Sequence, residues 1–288
     1  MKGILICPAE RASVRLLAEH IPLAVVPAMG QSLVEYWLGH LARDGVNEVM
    51  VLANDRADQV SAVVEDGARW GISVEVVTES RELSAAQALL KYQTWLGDPK
   101  DPQLVDVLDR FPGQGASVAL AGYPEWFAAV LAWLPHAKTP DRVGIQELAD
   151  GVWAGAHSHI SKGAKLSGPC WIGDRVFLAD GAVVGPNTVI EDGAFIEPGA
   201  EIAGSYIGSH TFVGRYTEIK DSLALGNTLL NLNTGSFAKV PDPFVLCALR
   251  QPRFSRSAGL LRRLSEFYSR NKVDMQVIWK HLLMNREG

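Results

Sequence analysis

From Ile160 onward a branched apolar residue recurs every six positions, at Ile160, Leu166, Ile172, Leu178, Val184, Ile190, Ile196 and Ile202. A period of six belongs neither to a helix nor to a simple strand. It is the period of a parallel β-helix of triangular cross-section: each hexad supplies one short face and a corner, and three hexads complete a coil of about 18 residues. The branched residue then points inward and stacks on its counterpart one coil away. The fifth position of the hexads is small or β-branched (Ala164, Val176, Ala182, Thr188, Ala194, Ala200). Turn-forming pairs such as Asp180-Gly181, Pro186-Asn187 and Asp192-Gly193 fall where corners are needed. The phase slips by one after Ile202, resumes with Ile207, Val213 and Ile219, and loosens around Leu225. The pattern predicts a left-handed parallel β-helix of hexapeptide repeats with one shortened corner, ending near Ser236.

The first half reads differently. A short apolar strand, Gly3–Ile6, precedes an amphipathic helix through Leu33–Leu38 and a second strand, Glu48–Leu52, a Rossmann-like βαβ opening. Between Asp98 and Gly151 the apolar stretches Val118–Ala121 and Phe127–Trp133 predict one further strand and one or two helices. At the other end, Leu260, Leu261, Leu264, Phe267 and Tyr268, then Val273, Val277, Ile278 and Leu282, fit two amphipathic helices with Arg262, Arg263, Arg270 and Lys280 on their polar sides. The expected organisation is an α/β domain over residues 1–150, the β-helix over 151–240 and a basic helical tail over 241–288.

A chain of 288 residues, 48% hydrophobic and 20% charged, has material for two cores. The separated Cys7, Cys170 and Cys247 read as buried apolar residues in a reducing compartment. With no signal-like start and no long apolar run, a cytoplasmic location is expected. Nine Lys/Arg face three Asp/Glu from Arg250 to Gly288, so a tail of +6 leaves −11 for the rest of a chain of net charge −5. That tail is expected to pack on the protein's own β-helix or a neighbouring subunit; with Trp279, it also fits an anionic membrane or acidic partner enzyme. Nucleic-acid binding has no supporting motif.

Four stretches carry a resemblance: Ile6–Ala18 (ICPAERASVRLLA), Pro22–Ala28 (PLAVVPA), Gly30–Tyr36 (GQSLVEY) and Leu83–Leu89 (LSAAQAL). They resemble the nucleotide-sugar pyrophosphorylases, the sugar-1-phosphate nucleotidylyltransferases, whose motifs there are LAGGxGTRLRPLT, PKPLVPV, GxPLIEY and LGTAGAL. Framework residues survive: Pro22, Pro27, Gly30, Leu33, Glu35, Tyr36, Gly45 and Asp66–Gly71. In that family the first-motif glycines bring backbone N–H groups to the nucleotide phosphates, while an arginine and a lysine stabilise the transferring phosphoryl group. Here the glycine positions hold Pro8, Ala9 and Arg11. The threonine position is Ala12, the arginine position Ser13 and the lysine position Leu23, and the second motif reads Ser84-Ala85-Ala86-Gln87. The family's metal-binding Gly-Asp after the next strand finds no counterpart. The sugar-binding half is largely absent, so the α/β domain is expected to be truncated.

The resemblance therefore implies a nucleotidyltransferase-family fold with its catalytic motifs lost: a non-catalytic binding or regulatory subunit in polysaccharide precursor synthesis. No catalytic residue, metal or cofactor is expected. One alternative is an active nucleotidyltransferase with a rebuilt loop, in which Arg11 and Arg15 replace the lost cations and Mg²⁺ is needed. Another is a hexapeptide-repeat acyltransferase. Val213–Ser222 resembles a stretch of the bifunctional N-acetylglucosamine-1-phosphate uridyltransferases, with Lys220 matching. Asn231, however, stands where their acetyl-transfer histidine is expected, leaving His210, His157 and His159 as candidates, with His210 at an exposed corner and the other two capping the first coil. A homo-oligomer through the β-helix is expected, by family analogy a trimer, with a nucleotide or nucleotide sugar as ligand.

Overall fold

A computed structural model describes residues 1–97, 103–114, 120–138 and 142–249. The predicted tail helices and Val118–Ala119 lie outside them. Among the described residues no helix is long and apolar enough to cross a membrane. Residues Met1–Leu249 form one compact unit.

The N-terminal part is built on four parallel strands, β1 (Lys2–Ile6), β2 (Glu48–Ala53), β3 (Ser73–Thr78) and β4 (Gln103–Val107), in the order β3-β2-β1-β4. Where one further strand was expected between Asp98 and Gly151, the described residues hold two, Gln103–Val107 and Ile145–Ala149, neither on the apolar stretches singled out there. β1 and β2 are apolar on both faces because helices cover the sheet. The longer helices are α1 (Leu33–Arg43), α2 (Ala57–Val64), α3 (Ala85–Lys91) and α4 (Tyr123–Trp133). α1 starts where the Glu35 carboxylate accepts the Ser32 N–H at 2.7 Å, a capping box that meets an otherwise orphan donor. Thus Glu35 of the family-like motif does local structural work here. Tyr36 does the same, its buried hydroxyl donating to Ala28 O at 2.9 Å.

From Val152 the chain winds through three stacks of parallel strands. Val152–Gly155, Cys170–Ile172, Thr188–Ile190, Tyr206–Ile207 and Ser222–Leu225 form one stack; His159–Ile160, Phe177–Leu178, Phe195–Ile196 and Thr211–Val213 form the second. Lys165–Leu166, Val183–Val184, Glu201–Ala203 and Glu218–Lys220 form the third. Register confirms the coil length: Cys170 pairs with Thr188, Phe177 with Phe195 and Val183 with Glu201, each 18 residues on. Six of the eight hexad residues lie in one buried core, Ile172, Leu178, Val184, Ile190 and Ile196 with no exposure at all, while Ile160 and Leu166 of the first coil are partly buried and pack against it. After Ile202 the register becomes 17, as Val189 opposes Tyr206. It stays 17 into the next coil, where Tyr206 opposes Leu223. A second corner is therefore shortened, and Ala224 points inward where the six-residue count expects Leu225.

Both ends of the first stack are closed by antiparallel strands, Ile145–Ala149 at the start and Thr228–Asn231 then Phe237–Lys239 at the end. Leu246–Ala248 runs antiparallel to Thr211–Val213 on the second stack. The outward side of the first stack is also apolar. Trp171, Val189, Tyr206 and Leu223 join the same core as α1 and α4. Tyr206 meets Trp126 edge-on at 4.8 Å, and its hydroxyl donates to Pro27 O at 3.0 Å.

Candidate functional site

In an open parallel sheet, ligands sit beyond the carboxyl ends of the strands, where neighbouring connections diverge. β1 is flanked by β2 and β4, so this point lies just past Ile6, where Cys7–Arg11 turns away. The loop is closed by a carboxylate from the β3–α3 connection. Glu82 accepts the Ala9 N–H at 2.8 Å and the Arg11 guanidinium at 2.7 Å, while Arg11 also donates to Ala9 O at 3.1 Å. A carboxylate thus receives both a backbone donor and a cation at the position where the resemblance places nucleotide phosphates. Burial, then the Glu82 charge, push the Cys7 thiol up to about 12, so it is no nucleophile.

An aspartate does follow the next strand. β4 runs into Leu108-Asp109, so the acidic residue not found by motif comparison is present, with leucine in place of glycine before it. Burial holds the Asp109 carboxyl above its ordinary range, aided by Asp106 and opposed by Arg110 and Arg11. Arg110 binds Asp106 at 2.6 Å and Asp109 at 3.2 Å. Arg11 and Arg110 therefore already have carboxylate partners. Among the described residues no group of three or more His, Cys, Asp and Glu side chains is disposed to hold a metal.

The other altered motif positions have structural roles. Pro8 is buried, and Leu23 is a core residue at 4% exposure, so the family's lysine position faces inward. Ala12 and Ser13 lie on an exposed helical turn, where the Ser13 hydroxyl donates to Leu120 O at 2.9 Å. Ser84 and Gln87 cap α3 reciprocally, at 3.0 and 3.2 Å. Arg15 does not share a partner with Arg11; its guanidinium lies over the Phe237 ring at 5.7 Å, at the lip of a different cleft.

The histidines are dispersed. His210 occupies a left-handed corner (φ 53°) and packs against Gly193 of the preceding coil, half-buried rather than exposed. Burial, then the Arg175 charge, lower its pKa. His157 pairs with Asp174 at 3.2 Å, and His159 stacks on Phe177 at 5.1 Å. Asn231 uses its side-chain oxygen to accept the Asn233 and Thr234 N–H groups, building a turn.

Glu82 and Asp109 escaped motif reading because neither lies in a stretch that retains the family pattern. The available signal for Asp109 was its position directly after Leu104–Leu108, a stretch apolar except for Asp106.

Residues 16–112 match the model of the family described as nucleotidyl transferase. Glucose-1-phosphate thymidylyltransferases of Streptomyces antibioticus and Streptomyces griseus are each 26% identical, over 151 and 153 residues, spanning 52% of this chain and 42% of theirs. The low-salt glycan biosynthesis nucleotidyltransferase Agl11 of Haloferax volcanii is 22% identical over 152 residues, with the same coverage. The matched stretch thus spans less than half the length of these relatives. With the parallel sheet and the motif correspondences, these similarities support a relationship between the N-terminal part of the chain and the nucleotide-sugar pyrophosphorylase family.

Proposed function

We propose that this protein is a non-catalytic binding or regulatory member of that family: a truncated nucleotidyltransferase-like domain on a left-handed β-helix, cytoplasmic and homo-oligomeric through the coil. Its ligand in this reading is a nucleotide or nucleotide sugar of a polysaccharide precursor pathway. The observation that carries the reading is Glu82, whose carboxylate takes up the Ala9 N–H and Arg11. Phosphoryl transfer depends on cations and backbone donors aimed at developing negative charge. Here Leu23 and Ser13 supply no cation, and a carboxylate in the loop repels a triphosphate.

The test is pyrophosphate release from UTP or dTTP with glucose 1-phosphate and Mg²⁺, beside a thermal-shift series with nucleotide sugars. No release, with a rise in Tm for a nucleotide sugar, is the expected result. Mg²⁺-dependent release by the wild-type protein overturns the proposal in favour of an active enzyme with a rebuilt loop.

A further inference from the structure

Pro27–Ala28 and Gln31–Ser32 pair as a small hairpin whose turn is Met29-Gly30. Both turn residues have positive φ, 55° and 73°. Asn-Gly or Gly-Gly adopts such a turn without strain, whereas a methionine there is held against its own preference. What holds it is Glu191 of the coil, whose carboxylate accepts the Met29 and Gly30 N–H groups, the latter at 2.7 Å. Glu191 and Met29 both have no exposure. The hairpin joins the family-like stretches Pro22–Ala28 and Gly30–Tyr36, and it lies where the start of α1 meets the first stack. Tyr36 donates to Ala28 O from one side and Tyr206 to Pro27 O from the other.

The charged and titratable groups around this carboxylate come from three elements. Arg142, which donates to the Met29 carbonyl, favours the charged form, and Asp192, next along the coil, opposes it. Tyr206 is on the following coil, and Tyr36 of α1 feels the charges of both Glu191 and Glu35. His210, whose N–H bonds Asp192 O at 2.9 Å, has its own pKa lowered by burial and by Arg175. Two N–H donors and Arg142 do not offset dehydration of the charge, so burial raises the Glu191 pKa from 4.5 to about 7. A carboxyl that binds its proton more tightly when enclosed than when hydrated favours the enclosed state in acid and the hydrated state above its raised pKa. The neutral acid still accepts through its carbonyl oxygen. We propose that the Met29–Gly30 turn is a proton-operated latch: it stays on Glu191 while that carboxyl is neutral and lifts from it on ionisation, so that attachment of the family-like stretches to the coil follows pH. Backbone strain at Met29 is relieved in the same step.

Hydrogen exchange of the full chain from about pH 5 to about pH 8 tests this, read by mass spectrometry on the peptide spanning Pro27–Leu33 and corrected for intrinsic amide rates. Protection of the wild-type hairpin is expected to fall by up to about tenfold per pH unit between about pH 5 and pH 7, then level off, while β1 and β2 keep theirs. In Glu191→Gln hairpin protection should be independent of pH. Asp192→Asn retains an acceptor oxygen for the Asp174 N–H but removes a charge that raises the Glu191 pKa. Its fall should therefore move to lower pH, which tests the latch even where Glu191→Gln fails to fold. His210→Gln should behave as the wild type. Wild-type protection that does not change with pH, a fall that persists in Glu191→Gln, or one abolished in His210→Gln overturns the latch. A fall shared equally by β1 and β2 means global unfolding and overturns it as well. None of these outcomes depends on whether nucleotidyl transfer survives.

Discussion

Glu191, at a corner of the coil, accepts the Gly30 N–H at 2.7 Å across 161 positions of sequence, and its second oxygen takes the neighbouring Met29 N–H at 2.5 Å. Met29 and Gly30 both have positive φ, 55° and 73°, which turns successive N–H groups toward one point and makes a small anion-binding nest. Arg142 donates to the Met29 carbonyl, closing the same turn. A fully buried carboxylate thus ties the Pro27–Ser32 hairpin to the coil.

This tie has a pH dependence. Burial raises the Glu191 pKa from 4.5 to about 7, outweighing the two N–H bonds and Arg142, which favour the charged form. A carboxyl with a raised folded-state pKa favours folding when protonated, so its contribution is full below about pH 4.5 and is lost as pH rises through about 7. The unfolding free energy of the wild type relative to Glu191→Gln should therefore fall between about pH 5 and pH 7, by at most roughly 1.4 kcal/mol per pH unit. Urea unfolding at several pH values measures it, and a difference independent of pH refutes the assignment.

Gly30→Ala meets both a left-handed backbone and a filled space. A Cβ there would lie 2.5 Å from an Arg142 nitrogen and 3.2 Å from the Trp171 ring. The expected cost is about 2–3 kcal/mol. Gly45→Ala shares the positive φ, 82°, but has nothing within 4 Å and should cost only about 1 kcal/mol. Equal losses in the two variants would show that strain alone, and not the packing around the nest, matters at Gly30.

Within the coil, Ile196→Ala removes a side chain with no exposure from the second stack and should cost about 2–5 kcal/mol. Glu201→Ala, on an exposed outward position of the third stack, should change stability by less than about 0.5 kcal/mol. Chemical denaturation of both variants checks the inward and outward assignment.

Thiol labelling should follow burial. Cys7 and Cys170 are buried, with burial pushing both thiols up to about 12, while Cys247 is half-buried and less strongly raised. A thiol reagent near neutral pH is expected to modify Cys247 first and the other two only on unfolding. Rapid labelling of Cys7 in the folded protein would mean that the Glu82-closed loop opens readily.

Some of this was readable from residues alone, for physical reasons that differ by element. The βαβ opening was visible because β1, α1 and β2 are local, each declared by its own apolar pattern, and their observed bounds differ from the expected ones by only a few residues at each end. The second shortened corner was missed because Leu225 is apolar and sits at the six-residue count, so only strand pairing reveals that Ala224 is the residue turned inward. At the site, motif comparison registered Ser13 and Leu23 as departures from the motifs but not the Glu82 carboxylate that accepts from the Ala9 N–H and Arg11. Nothing near Glu82 in sequence marks it as a partner of residues more than seventy positions away.

By itself the sequence determined the repeat, the first shortened corner, the α/β opening and the residues that differ from the family-like motifs. Each is carried by neighbouring residues or by a period that returns every coil, so composition and spacing preserve it. Tertiary structure alone decided that Glu82 fills the loop after β1, that Glu191 grips the turn at Gly30, and that Arg11 and Arg15 face different surroundings. These depend on single contacts between distant segments, whose strength comes from burial and geometry and leaves no periodic trace in the chain.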